Sequence, residues 1–223
     1  MYQKIFLRCD TVDKENVKKT GTTTVGIVCK EGIILAADRR ASAGYLVADK
    51  EAQKIHQIAP NIAVTIAGLV SDAQLLVKLI KAEIRLKDLT TLRKSAVKEA
   101  ANLLAGIQYR NIRYPSMVPG IVGFLLGGVD EEGIQLYDIG IDGSTSITDK
   151  FMSDGSGSPF ALGVLETMFR KGMSLEEGKK LAITAINAAL QRDIATGNGL
   201  QVWTITKEGV KILVDMTINT GVQ

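Results

Sequence analysis

Histidine is almost missing from this 223-residue chain: His56 is the only one, beside two cysteines, four prolines and 5% aromatic residues. A Ser-His-Asp or Cys-His protease would have to be built on that single ring, and no nucleophile-elbow pattern surrounds any serine. Histidine zinc sites need two or more such residues. Cys9 and Cys29 are too few for a disulfide framework and lack metal-ligand spacing, so a reducing, cytoplasmic setting is expected. No apolar run approaches the ~20 residues of a membrane span, and Ile5, Phe6 and Leu7 before Arg8 are too short for a secretory core. Nor is there a strong charge of one sign. Twenty-seven basic against 24 acidic residues give +3, with no basic stripe interleaved with aromatics, which argues against nucleic acid as a partner. Gly155-Ser156-Gly157-Ser158 has Phe160 where a dinucleotide fingerprint needs its third glycine, and no Gly-Lys-Ser/Thr end.

What is present has a clear order. Residues 10–19 carry six charged side chains in ten and no apolar face, so the first 21 residues read as a flexible leader. The pattern changes at Thr22. Thr22–Cys29 and Ile33–Asp38 are apolar, β-branched runs around Lys30-Glu31-Gly32, a hairpin. Further strands are expected over Ala41–Val47, Lys54–Ile58 and Ile62–Ala67. Leu75, Leu76, Leu79, Ile80 and Ile84 then repeat at helical spacing behind Ser71, a candidate N-cap, and the first-turn acid Asp72. A second helix is predicted from about Ser95 to Tyr109. Strands return over Gly120–Val129, Ile134–Ile139, Ser144–Thr148 and Phe151–Asp154. Helices follow after Ser158-Pro159 and at Ser174, which stands at capping-box spacing from Glu177. Leu200–Thr206 and Val210–Val214 close the chain as a hairpin. Helix pairs between hairpin-connected strands imply antiparallel sheets under helical layers, an α+β chain of one domain behind its leader.

With no histidine to spare, the boundary at Gly21-Thr22-Thr23-Thr24-Val25-Gly26 gains weight. An N-terminal threonine supplies both halves of a nucleophile–base pair, because its hydroxyl attacks and its own α-amino group accepts the proton. That amine has an ordinary pKa of about 7.7–8.0, well matched to neutral pH. The scheme needs residues 1–21 removed. Gly21, without a Cβ, suits a cut made by the Thr22 hydroxyl itself.

Several separate segments resemble proteasome β-subunits of the archaeal type, in that family's order and spacing from Thr22 to the end. They are the Gly21–Gly26 start, Ala37-Asp38-Arg39-Arg40, Lys54, the 66–73 segment Ile-Ala-Gly-Leu-Val-Ser-Asp-Ala, Gly155-Ser156-Gly157-Ser158-Pro159 and Gln191-Arg192-Asp193. The resemblance implies a four-layer αββα sandwich of two antiparallel sheets flanked by helix pairs, the N-terminal nucleophile hydrolase fold, and a threonine endopeptidase made as a zymogen. By it, Gly21 and Thr22 flank the autocatalytic cleavage site and Thr22 is nucleophile and base. Lys54 would tune Thr22, Asp38 would hold Lys54, and the Gly68 N–H would serve the oxyanion. Ser156, Asp193 and Thr196 would cluster around the Thr22 amine. Ser42 stands where a threonine whose backbone pairs with the substrate is common, and Thr196 where a serine is usual; both keep a hydroxyl. Ala41, Ala52, His56, Ile66 and Val70 would line the specificity pocket.

No metal or other cofactor is implied. The implied partners are other β-subunits in a heptameric ring, α-subunit rings, an ATP-dependent unfoldase and unfolded protein substrates, with no membrane and no nucleic acid. Three alternatives stand beside this reading. One is a structural or weakly active β-subunit that depends on a partner for processing. The others are a related amidase acting on small amides and an α-type ring subunit. Cys29 reads as a buried strand thiol, and Cys9 leaves with the leader.

Overall fold

The computed structural model describes residues 21–218. The leader, apart from residue 21, and Cys9 lie outside the described residues. Twelve strands and four helices follow one another within them.

Two five-stranded antiparallel sheets carry the fold, in the orders β10-β1-β2-β11-β12 and β5-β6-β7-β8-β9. The first is centred on β1 (Thr23–Val28), β2 (Gly32–Asp38) and β11 (Gly199–Thr206), with β10 (Phe151–Gly155) and β12 (Gly209–Thr217) at its edges. The second runs from β5 (Ile55–Ala59) through β6 (Ile62–Gly68), β7 (Val122–Asp130) and β8 (Gly133–Ile139) to β9 (Thr145–Thr148). Helices α1 (Val70–Thr91) and α2 (Val97–Arg113) cover the second sheet, and α3 (Ser158–Met168) and α4 (Leu175–Leu190) cover the first.

Alternation along β2 shows why the layers stack in this order. Side chains on a strand point to opposite faces in turn. Ile34 and Ala36 pack with Leu181, Ala185 and Ile186 of α4, whereas Ile33, Leu35 and Ala37 pack with Ile55, Ala63 and Leu136 of the other sheet. Every residue of β2 is buried. A strand apolar on both faces can only lie between two covered layers, and this one fixes the order helix, sheet, sheet; α1 and α2, on the far face of the second sheet, add the fourth layer. The αββα sandwich expected from the sequence is therefore the observed architecture.

Local chemistry explains the starts of two helices. Ser174 caps α4, its hydroxyl accepting from Glu177 N–H while Glu177 Oε2 accepts from Ser174 N–H at 2.8 Å. Pro159 stands in the first turn of α3. Three expectations need correction. The single strand over Ala41–Val47 is a small hairpin, β3 (Ala41–Ala43) and β4 (Leu46–Asp49), because Gly44 turns the chain at φ +66°. Helix α1 begins at Val70 behind Leu69, without a side-chain cap, so Ser71 lies inside its first turn. Helix α2 runs on to Arg113, four residues past the expected Tyr109, while Ser95 just ahead of it gives its N–H and hydroxyl to Asp88 Oδ1. Cys29 is buried just beyond β1, and burial pushes its thiol up to about 12, so it stays protonated.

Candidate active site

Thr22 sits at the mouth of β1, one residue ahead of the strand, and is 5% exposed. Pairing of β1 with β2 sets Thr24 opposite Ala37 and so delivers Asp38, at the end of β2, beside Thr22 and Thr23. Asp38 has no solvent exposure. An isolated buried carboxylate would be very costly, and this one is fully engaged. Oδ1 accepts from Thr23 N–H at 3.0 Å and Lys54 Nζ at 2.7 Å, and Oδ2 from Arg40 N–H and Gly197 N–H, each at 3.0 Å.

Lys54, just ahead of β5, is equally buried at 4% exposure. Its N–H donates to Gln201 Oε1 at 3.0 Å, and its carbonyl accepts from Ile66 N–H at 2.9 Å, so two strands aim its side chain inward. Burial pulls the ammonium below its ordinary value, and the Asp38 charge and hydrogen bond act against that pull. Beyond Asp38, Lys54 Nζ reaches Gly21 O at 3.5 Å. The same carbonyl oxygen accepts from Thr22 Oγ1 at 2.7 Å. Hydroxyl, ammonium and the carbonyl of the preceding peptide thus meet at one point.

The Thr22 nitrogen faces a second cluster. It donates to Ser156 Oγ at 3.3 Å, and Ser156 Oγ donates to Asp193 Oδ2 at 2.6 Å. Asp193 Oδ2 also accepts from Thr196 Oγ1 at 2.5 Å, while Thr196 and Thr23 hydroxyls are 2.6 Å apart. Ser156 is placed by the end of β10, which pairs Gly155 with Thr23; Asp193 and Thr196 lie in the turn between α4 and β11. Gly68 ends β6 at φ +131°, where a Cβ would stand 2.2 Å from Ile121 O, so only glycine fits.

The described residues of the chain therefore gather Gly21, Thr22, Asp38, Lys54, Ser156, Asp193 and Thr196 into one hydrogen-bonded group. The matching model is described as "Proteasome subunit" and covers residues 18–205. A Methanothermobacter thermautotrophicus protein named proteasome subunit beta is 44% identical over 212 residues, 95% of this chain and 98% of its own length. Proteins of the same name from Methanocaldococcus vulcanius and Methanobrevibacter ruminantium are 45% and 46% identical over 199 and 193 residues. These alignments cover 89% and 86% of this chain, and 87% and 89% of the relatives. The chain belongs to the proteasome subunit family.

Among proteasome subunits it is similar to the β type, a peptidase component that assembles with other proteasome subunits. No helix among the described residues is long and apolar enough to cross a membrane. The remaining expected site residues are spread more widely around this proteasome fold. Ala41 and Ser42 lie on β3, and the Ser42 hydroxyl accepts from Gly21 N–H at 3.0 Å. Ala52, in the loop before β5, donates its N–H to Arg39 O at 3.0 Å. Ile66 is buried on β6 among residues of α1 and α2. His56 on β5 pairs with Val64, its Nε2 buried without a partner among the described residues, and burial together with nearby Lys81 lowers its pKa. Val70 opens α1 and is 44% exposed.

Sequence reasoning passed over Thr23, Gly197 and Gln201. Thr23 was visible in the threonine triplet. Gly197 and Gln201 act through one backbone N–H and one amide oxygen on a segment distant in sequence, and no local pattern marks them.

Proposed function

We propose that this chain is the threonine-type endopeptidase subunit of a proteasome core particle, made as a precursor that frees Thr22 by cutting the Gly21–Thr22 bond itself. The observation that carries the reading is the contact of Thr22 Oγ1 with Gly21 O at 2.7 Å, with Lys54 Nζ on the same oxygen. In self-cleavage the Thr22 oxygen bonds to the Gly21 carbonyl carbon and the C–N bond breaks. The hydroxyl proton ends on the Thr22 nitrogen. Water then hydrolyses the resulting ester, leaving a Gly21 carboxylate and a free Thr22 amine.

In the mature subunit that amine takes the proton of Thr22 Oγ1, directly or through a water, as the hydroxyl attacks a substrate carbonyl. Support for this role comes from the Ser156, Asp193 and Thr196 hydrogen bonds around the Thr22 nitrogen. The Lys54 cation lowers the amine's pKa by like charge and stabilises the alkoxide, while Asp38 keeps Lys54 charged. The Gly68 N–H serves the oxyanion. Ala41, Ser42, Ala52, His56, Ile66 and Val70 make the substrate surface, whose mostly small and aliphatic side chains favour cleavage after apolar residues. A closed ring of like subunits below α-type rings, fed with unfolded protein by an ATP-dependent unfoldase in the cytoplasm, completes the reading.

Intact-mass spectrometry of the purified assembly tests it, comparing wild type with Thr22→Ala. Wild type should begin at Thr22 and hydrolyse peptides. Thr22→Ala should keep its leader, assemble, and lose turnover by about 10³-fold or more. Peptide hydrolysis by an assembled Thr22→Ala particle would overturn the reading.

A further inference from the structure

The Ser42 side chain makes a contact that a backbone role in substrate binding does not account for. Its hydroxyl accepts the Gly21 N–H at 3.0 Å in a buried position, and among the described residues this is its only side-chain hydrogen bond. The opposite end of Gly21 is also held, its carbonyl oxygen accepting from Thr22 Oγ1 at 2.7 Å and Lys54 Nζ at 3.5 Å. Its α-carbon has no room to swing, since a Cβ there would stand 1.8 Å from Ala195 Cβ and 3.0 Å from Ser156 Oγ. A residue pinned at N–H, Cα and C=O has little freedom left to turn its carbonyl.

We propose that Ser42 is a positioning residue for leader removal: its hydroxyl holds the Gly21 N–H and so fixes the face that the Gly21 carbonyl presents to Thr22 Oγ1. The inference rests on the reading that Thr22 cuts its own chain. Ser42 gains and loses no bond in that cut. Its effect is to hold the reacting atoms in an attack geometry, where small misplacements cost rate heavily. Because Gly21 departs with the leader, this hydrogen bond acts once in the life of the subunit. Its loss should therefore weigh more on self-processing than on later peptide hydrolysis.

The test uses full-length chain assembled with its partner subunits. Leader loss is followed over time by intact-mass spectrometry, and peptide turnover is counted per mature Thr22 terminus. Ser42→Ala should slow leader removal roughly three- to tenfold, the worth of one ordinary hydrogen bond, and turnover per mature site should fall by a smaller factor. Ser42→Thr, which keeps an Oγ, should restore processing. Ser42→Cys, close in shape but a weak acceptor, should be slow like Ser42→Ala and gives a second measurement if the alanine variant fails to assemble. Processing of Ser42→Ala or Ser42→Cys at the wild-type rate overturns the proposal. So does an equal fall in processing and per-site turnover, which would mark a general disturbance of β3. Thr22→Ala, run alongside, separates the two levels: if its leader is still removed, the self-cleavage reading fails and the role of Ser42 falls with it.

Discussion

Asp38 and Lys54 form a buried ion pair of 2.7 Å in which the two partners depend on each other unequally. Asp38 keeps three backbone N–H donors if Lys54 is removed, whereas Lys54 has no second acid within ion-pair distance among the described residues if Asp38 is removed. Asp38→Asn also turns an amide NH2 toward donors. It should therefore destabilise the subunit by about 3–5 kcal/mol, the usual cost of orphaning a buried charge, and Lys54→Met by less than half of that. Both should be nearly inactive. Thermal melting of the two variant particles checks the order, and a lower melting point for Lys54→Met would contradict it.

The pH profile of residual Lys54→Met activity carries the electrostatic part of the mechanism. A cation beside the Thr22 amine disfavours its protonation and holds its pKa down. Without that cation the amine returns toward its ordinary value of about 7.7–8.0. The acid limb of kcat/KM should move to higher pH in Lys54→Met. An acid limb that stays in place would show that Lys54 does not act on the amine.

Gly68→Ala should disable turnover without touching Thr22. At φ +131° the alanine is strained, and its Cβ meets Ile121 O at 2.2 Å, so the end of β6 must shift. A donor displaced from the developing oxyanion typically costs on the order of 10²–10³ in kcat. KM should change much less. Steady-state kinetics on the assembled particle distinguishes this from a binding defect, in which KM would carry the loss.

Asp154 offers a stability test away from the reacting atoms. Burial raises its pKa above the ordinary 3.8, although its carboxylate accepts from Gly155 N–H at 2.7 Å; burial likewise raises Asp138, with the Asp154 charge adding to it. The folded state thus holds a proton that the unfolded chain releases. Stability from this group is present below pH 3.8 and is lost as pH rises from there through the folded pKa. Asp154→Asn should raise the melting temperature at neutral pH by about 2–4 °C. The gain should shrink as pH falls through the folded pKa, and an equal gain at all pH values would mean that the charge is not responsible.

His56 should alter cleavage preference only at distinctly acid pH. Burial and the Lys81 charge both lower its pKa below 6.5, more than its backbone hydrogen bond with Gln53 restores. Fluorogenic peptides differing only in the residue before the cut, assayed from neutral to acid pH, should show apolar preference persisting below pH 6.5 before acidic side chains gain. A midpoint at or above 6.5 would contradict this environment for the ring.

What could be read from the chain alone follows the range of the forces involved. The β1–β2 hairpin and the α4 cap rest on neighbours a few residues apart, Lys30-Glu31-Gly32 and the Ser174–Glu177 pair, and both were legible. The β3–β4 hairpin was not, because Gly44 turns a run whose side chains otherwise suit one strand. Thr22, Asp38 and Lys54 were found through a family resemblance and through the lack of a histidine base. The distant groups that hold Asp38 and Lys54 in place were invisible. Gly197 reaches Asp38 across 159 residues, and Gln201 reaches Lys54 across 147.

The four donors on Asp38 have a consequence for timing. They come from residues 23, 40, 54 and 197, so the carboxylate is satisfied only when both ends of the described chain have met. A chain still emerging from the ribosome, with β11 not yet made, has no complete seat for Lys54. The seat of Lys54 is thus a late product of folding, closed by Gly197 and Gln201 around residues that were made long before them.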